Sequence, residues 1–160
     1  MFAIALCSTV LLMVTTAYFI LGSIPLLVLK HDTPLDARFV RGFFNIYYVA
    51  AFATATAAAI SLALAGFLAL GGGAAVLALI AVGLRKKIIP KMGLLGAQIQ
   101  AGSLESVPGF RRVHIFAIVI NIAQLVIIVS CLINVSRSQM LPATAPSAAP
   151  AVATFSAKQR

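Results

Sequence analysis

Acidic residues are nearly absent from this chain of 160 residues. It contains three Asp and Glu residues against twelve Lys and Arg, and only 9% of its residues are charged, whereas 62% are hydrophobic. An ordinary soluble domain is about a quarter charged and about half apolar. A water-soluble core of this size has no room for so much apolar surface. The composition therefore predicts an integral membrane protein of one domain.

The long apolar segments carry no Asp or Glu at all. Carboxylates inside a membrane segment are the usual groups of proton relays and of carboxylate-bridged metal sites, so their absence argues against both. It argues against an ion-coupled transporter for the same reason. The sequence also has no HExxH motif and no Ser/His/Asp set. We therefore assign no catalytic residue, no metal ligand and no cofactor, and favour a protein that is not an enzyme.

Cysteine is scarce as well. Cys7 and Cys131 lie within apolar segments, and neither has the CxxC or Cys/His spacing of a metal site. We expect two free thiols, which behave as small apolar groups. A disulfide is the alternative if their helices are neighbours and the two Cα atoms come within ~7 Å. No positive charge precedes the first apolar segment, and we expect that segment to be retained rather than cleaved.

Long apolar segments are what the sequence has in abundance. The ~30 Å hydrocarbon core of a bilayer needs about 20 apolar residues in a helix. This predicts an all-α membrane protein, a bundle of four transmembrane helices within residues 1–136. The predicted spans are about 2–29, 43–66, 72–89 and 112–135. The segment 137–160 is rich in Ala and Pro, and we expect it to be a flexible tail.

Glycine and proline mark the predicted helix ends. The turn between the second and third spans falls within 66–73. Segment length favours Gly66, whereas the run Gly71–Gly73 is the stronger helix breaker, and both positions stay open. We expect Pro90 to stop or bend the third helix.

The second span is rich in alanine and begins with aromatic residues. Small residues allow helix backbones to approach closely in lipid, so we expect this helix to be central and to touch two neighbours. Two faces carry small residues at every fourth position: Ala51, Ala55, Ala59 and Ala63 on one, and Ala53, Ala57, Ser61 and Ala65 on the other. Near its start, Asn45, Tyr47 and Tyr48 occupy the place of an aromatic belt at the lipid headgroups.

The basic residues lie on one side of this topology. The segments 30–42 and 85–112 together hold nine Lys and Arg, whereas the turn on the opposite side holds none. The positive-inside rule places both segments in the cytoplasm as loops and both termini outside, in a bacterial inner membrane. Because the positive charge follows membrane topology rather than a basic and aromatic surface stripe, we predict no binding of nucleic acid.

The last span carries the polar side chains that hydrocarbon tolerates poorly. At 100° per residue, His114, Asn121 and Gln124 lie on one side of the helix, with His114 near the cytoplasmic interface. One interpretation is hydrogen bonding between helices, at ~0.6 kcal/mol per contact. The other is the binding of a lipophilic ligand or cofactor such as a quinone, haem or pigment. For a haem, His31 in the first loop would be a weak second candidate.

Part of the chain resembles a family of uncharacterised bacterial four-helix inner-membrane proteins. The resemblance depends on the Phe-x-x-x-His start of the last span at 110–114, followed by Asn121 and by Gln124 and Leu125, and on residues 89–92 before it. It implies a four-helix fold in a bacterial inner membrane, and it implies no reaction.

The leading hypothesis from these observations is a protein that works by association. Short connections and helix faces of small residues favour the docking of helices against other subunits or against a second copy. This describes an accessory or assembly subunit of a larger membrane complex. The alternatives are a protein that binds a lipophilic ligand and a small transporter that works only as an oligomer.

Overall fold

A computed structural model describes residues 1–28 and 34–140 and shows four long helices. They are α1 (Phe2–Leu26), α2 (Pro34–Leu64), α3 (Leu68–Gln100) and α4 (Val107–Met140), with a 3-10 turn at Leu104–Ser106 before α4. Each of the four is long and apolar enough to cross a membrane, with mean hydropathy from 1.6 to 2.7 over its most apolar stretch. The predicted all-α architecture of four apolar helices is confirmed.

The four helices form a closed ring. α2 packs along α1 and, most extensively, along α3, while α4 closes the ring against α1 and α3. The short connections make successive helices antiparallel. α2 therefore has two neighbours, as its alanine pattern predicts. Both cysteines are free: Cys7 on α1 is exposed and Cys131 on α4 is half-buried.

The turn between α2 and α3 lies at Gly66. This glycine has a positive φ of 89°, which a residue without a Cβ adopts at no steric cost. The Phe67 amide donates to the carbonyl of Leu62 at 2.9 Å and closes the turn. Gly71, Gly72 and Gly73 are all helical and belong to α3. Segment length was thus the better guide to this turn than the run of glycines.

Three helices extend well beyond their predicted spans at one end of the bundle. We call this the basic end, formed by residues 34–42 and 85–112. Both segments were expected to be loops, yet α2 begins at Pro34 and α3 continues through Pro90 as far as Gln100. Proline fits the first position of a helix, because the amide that it lacks has no partner there.

The extended helices at the basic end have a packed core of their own. On the far side of Pro90, Met92 and Ile99 are buried together with Val40 of α2 and Phe110 of α4. This packing explains why the helix continues past an exposed proline. α4 likewise runs to Met140, beyond the predicted end of the last span at 135. The rest of the predicted tail, 141–160, and the segment 29–33 lie outside the described residues.

The interior changes character from one end of the bundle to the other. Towards the basic end, the core is built from large aromatic side chains such as Phe19, Phe44 and Tyr48. Towards the opposite end, which we call the hairpin end because it holds the turn at Gly66, it is built mainly from alanine and leucine. The aromatic half holds the buried polar groups of α4, and the half with small residues leaves a cavity.

Candidate functional site

A hydrogen bond between α2 and α4 lies at the centre of the aromatic half. The Tyr47 hydroxyl donates to Oδ1 of Asn121 at 2.5 Å. The Nδ2 of Asn121 donates in turn to the carbonyl of Ala117, one turn earlier in α4, at 2.6 Å. Both side chains are buried. The amide is therefore fixed at its oxygen by α2 and at its nitrogen by its own helix.

Aromatic rings from α1 and α2 hold the Tyr47 hydroxyl in place. The rings of Phe19 and Tyr47 are stacked, with centroids 3.8 Å apart. Phe44 meets Phe19 edge to face at 4.8 Å. Such pairs add about 0.5–1.5 kcal/mol each beyond the burial of their area. The Thr16 hydroxyl of α1 also lies beside the Tyr47 hydroxyl. Three helices thus converge on one hydrogen bond.

His114 is fully buried, whereas its place near the interface predicted a more exposed side chain. Its ring meets that of Phe44 edge to face, with centroids 5.0 Å apart. The neighbouring Arg111 and Arg112 are exposed. The difference arises because the core continues past His114 to Phe110, so that the inward face of α4 stays covered while the two arginines point outward.

Three further buried polar atoms lie in this half of the bundle. The Tyr48 hydroxyl, Nε2 of Gln124 and Oγ of Ser23 make no hydrogen bond within the described part of the chain. The Tyr48 hydroxyl lies close to the Asn121 side chain. A buried polar atom without a partner destabilises a fold by about 1–3 kcal/mol. Tyr48 and Gln124 thus carry unused hydrogen-bonding capacity beside Asn121.

We call Tyr47, Tyr48, His114, Asn121 and Gln124 the polar cluster. The sequence-predicted candidates His114, Asn121 and Gln124 all belong to it, and Asn121 is in direct contact with Tyr47. His31 lies outside the described residues. Within residues 1–28 and 34–140, no group of three or more His, Cys, Asp and Glu side chains is placed to hold a metal ion.

Sequence reasoning missed the two tyrosines of the polar cluster, which it placed in a belt at the headgroups. The structure buries both of them. The signal was present in their spacing: Val40, Phe44, Tyr47, Tyr48 and Ala51 recur at intervals of three and four and form one buried face of α2. An aromatic belt was expected because the span was thought to begin at residue 43, nine residues after the true start of α2.

A cavity of about 230 Å³ lies in the hairpin half, with lining residues from all four helices. Leu12, Leu62, Leu77 and Ile128 give it an apolar wall, and Gly73 contributes no side chain to fill it. Its hydroxyl groups donate within their own helices: Thr9 to Ala5, Ser130 to Val126. The interior is therefore suited to an apolar group.

Comparison with known proteins finds no family model that matches the chain, no similar curated protein and no similar solved structure. The resemblance to four-helix inner-membrane proteins at 110–125 stays a prediction.

Proposed function

We propose that this protein is a non-catalytic integral membrane protein that associates with other membrane proteins, as an accessory or assembly subunit of a larger complex. The observation that supports this most directly is the outward face of α3. Gly72 and Gly83 lie on that face, and a Cβ built on either meets nothing within 4 Å in the part of the chain that the structure describes. Val76 and Leu79, 55% and 70% exposed, lie between them.

These two glycines have no role inside the bundle. Gly71, by contrast, faces α2 so closely that a Cβ there would lie 3.0 Å from the Ala59 carbonyl oxygen. Glycine within a helix is about 1 kcal/mol less favourable than alanine. Gly72 and Gly83 are eleven residues apart, on one face and about 16 Å along the helix. Small residues on an outward face allow a second helix to approach closely, which is the packing that drives association in lipid.

The polar cluster supports a structural role rather than a chemical one. The Asn121 amide is engaged at both ends, by Tyr47 and by Ala117. His114 is enclosed and packs against Phe44. In a membrane, polar groups of this kind join helices within a bundle. The cluster therefore joins α2 and α4 across the interior of the bundle, and association is left to the outer surface.

The proposed location is a bacterial inner membrane, with the basic end in the cytoplasm and Met1 and the Gly66 turn outside. This orientation follows from the charge distribution. Arg38, Arg41 and the run Arg85–Lys87 all lie at the basic end, and the turn at Gly66 carries no charge. Basic residues next to transmembrane helices remain on the cytoplasmic side.

The association proposal is tested with the double substitution Gly72→Leu and Gly83→Leu. Leucine raises helix propensity and has open space at both positions, so the protein itself is expected to fold at least as well. We expect the variant to lose most of the membrane proteins that co-purify with the wild-type chain, as measured by quantitative mass spectrometry after mild solubilisation. Retention of the same partners at the same yield would refute a role for this face.

Gly42→Leu is the matched control. Gly42 is also helical, and a Cβ there meets nothing within 4 Å, but it belongs to α2. We expect this variant to keep its partners. Equal loss in Gly42→Leu and in the α3 variant would mean that added bulk alone, and not the α3 face, disturbs the assembly.

A second candidate function is the binding of a lipophilic molecule in the hairpin-half cavity. The apolar wall of this cavity favours such a ligand. The substitution Gly73→Leu places a side chain in this space, since a Cβ at Gly73 meets nothing within 4 Å. If the cavity holds a quinone, pigment or other lipophile, organic extracts of the wild-type protein contain it and extracts of Gly73→Leu do not. Equal amounts in both extracts, or none in either, count against this function.

A further inference from the structure

A cavity of about 530 Å³ lies at the basic end, between the first turns of α2 and the last turns of α3. Arg38 and Arg41 of α2 line one side of it. Gly93, Gly96 and Gln100 of α3 line the other. We call this space the arginine groove. It is separate from the polar cluster, from the hairpin-half cavity and from the outward face of α3.

Small residues bring the two helices close enough for Arg41 to lie over the α3 backbone. A Cβ built on Gly93 would lie 3.2 Å from Nη1 of Arg41, so the guanidinium occupies the space that a side chain would fill. A Cβ at Gly96 would meet Ala37 of α2 at 3.4 Å. Arg38 precedes Arg41 by three residues and therefore lies on the same face of α2.

The described part of the chain places no acidic side chain in the lining of the groove beside the two guanidinium groups. Arg38 and Arg41 are both exposed. The described acidic residues, Asp36 and Glu105, do not line the groove. The basic end as a whole carries eight described Lys and Arg residues against these two acids. Among the described residues, the lining of the groove therefore carries two positive charges and no negative one.

We propose that the arginine groove binds a phosphate group. A guanidinium presents a planar fork of donors that matches phosphate oxygens, and charge-assisted hydrogen bonds of this kind are among the strongest in proteins. The Gln100 amide can donate a third hydrogen bond. Basic pockets between transmembrane helices are typical sites for anionic lipid headgroups. The phosphate can come from such a headgroup or from a soluble phosphate, and the chemistry of recognition is the same.

This inference does not depend on the proposed association, and it is tested on the full-length protein. The protein is reconstituted in bilayers of phosphatidylcholine with phosphatidylglycerol, and lipids that remain bound after release into detergent are counted by native mass spectrometry. We expect the wild-type chain to retain phosphatidylglycerol. In the double substitution Arg38→Gln and Arg41→Gln we expect binding to be about 30-fold weaker, because each basic residue at an anionic surface contributes roughly fivefold.

Lys86→Gln with Lys87→Gln is the matched control, since it removes the same charge from the same end outside the groove. We expect this variant to keep its phosphatidylglycerol. Equal loss in both double variants would overturn the proposal in favour of diffuse attraction to the whole basic end.

Ala97→Leu adds a third test: Ala97 is exposed and lines the groove, so leucine obstructs the groove without changing charge or the buried core. We expect Ala97→Leu to lose the lipid too, and full retention would overturn the proposal.

Inorganic phosphate distinguishes the two sources. The melting temperature is measured with and without phosphate, in detergent that contains uncharged lipid only. If phosphate raises it in the wild-type chain but not in the Arg38→Gln and Arg41→Gln variant, and no phosphatidylglycerol is retained, the groove binds soluble phosphate. Retained phosphatidylglycerol without such a rise assigns it to a headgroup. The absence of both responses in the wild-type chain refutes a phosphate site.

Discussion

Asn121 is the residue on which the interior of the bundle is organised. Its amide accepts from Tyr47 of α2 and donates to the carbonyl of Ala117 in its own helix. Hydrogen bonds between transmembrane helices contribute on average about 0.6 kcal/mol and at most about 1.7 kcal/mol. Asn121 is expected near the upper value, because the stacked ring of Phe19 fixes the donor before the bond forms.

A double-mutant cycle measures this contribution. Asn121→Leu leaves the buried Tyr47 hydroxyl without its acceptor, and Tyr47→Phe leaves the Asn121 oxygen without its donor, so each single change should destabilise the protein by about 1–2 kcal/mol. The double variant removes both partners, and its loss should be smaller than the sum by about 1.5 kcal/mol. Reversible unfolding in mixed micelles measures all three. Strict additivity would show that the bond contributes nothing.

Tyr18→Phe is the control for that cycle. Tyr18 is 72% exposed on α1, so the loss of its hydroxyl should change stability by less than about 0.5 kcal/mol. A large effect at Tyr18 would indicate that the unfolding measurement responds to hydroxyl loss in general.

The sequence identified part of the polar cluster and left out the rest for a physical reason. His114, Asn121 and Gln124 stand out because they interrupt an apolar segment. Tyr47 does not, because a tyrosine near the start of a span fits both a headgroup belt and a buried hydrogen bond. The spacing of Val40, Phe44 and Tyr47 favours burial, but it becomes informative only once α2 is known to begin at Pro34, and that start depends on packing at the basic end.

At the scale of elements, the α2–α3 hairpin shows how two glycines of one run differ. Gly71 contacts the α2 backbone at Ala59 and Ala63, whereas Gly73 faces open space.

The four apolar segments were enough to predict four helices, since their length is dictated by the bilayer. The ends of the helices were not predictable from hydropathy, because Met92 and Ile99 extend the core beyond the apolar spans.

Alanine substitution separates the two kinds of glycine. In Gly71→Ala the new methyl group would lie 3.0 Å from the Ala59 carbonyl oxygen and force α2 and α3 apart. We expect a net loss of about 1–2 kcal/mol in the free energy of unfolding, since crowding of this kind outweighs the gain in helix propensity.

Gly73→Ala is the matched variant two residues further along. It has the same gain in helix propensity without the contact, and we expect it to be neutral or to stabilise by up to about 1 kcal/mol. Equal stability of the Gly71→Ala and Gly73→Ala variants, measured by thermal unfolding in the same detergent, would contradict the close approach of the two helices at Gly71.

At the scale of the whole molecule, the polar groups and the small residues serve different surfaces. The buried Asn121 amide and Tyr47 join α4 to α2, and Phe19 of α1 stacks on Tyr47. A Cβ on the outward glycines of α3 meets nothing in the described part of the chain, and we propose that this face meets another protein. We likewise propose that the two arginines of the arginine groove bind phosphate. None of these three proposed roles requires a reaction at this chain.

The size of the protein in gently solubilised membranes tests the proposed association. We predict that native gel electrophoresis shows the chain, of 16.7 kDa, within a larger assembly, and that the Gly72→Leu and Gly83→Leu variant releases it from that assembly. A wild-type chain that migrates only as a monomer, in detergents that preserve known complexes of the same membrane, would contradict the account.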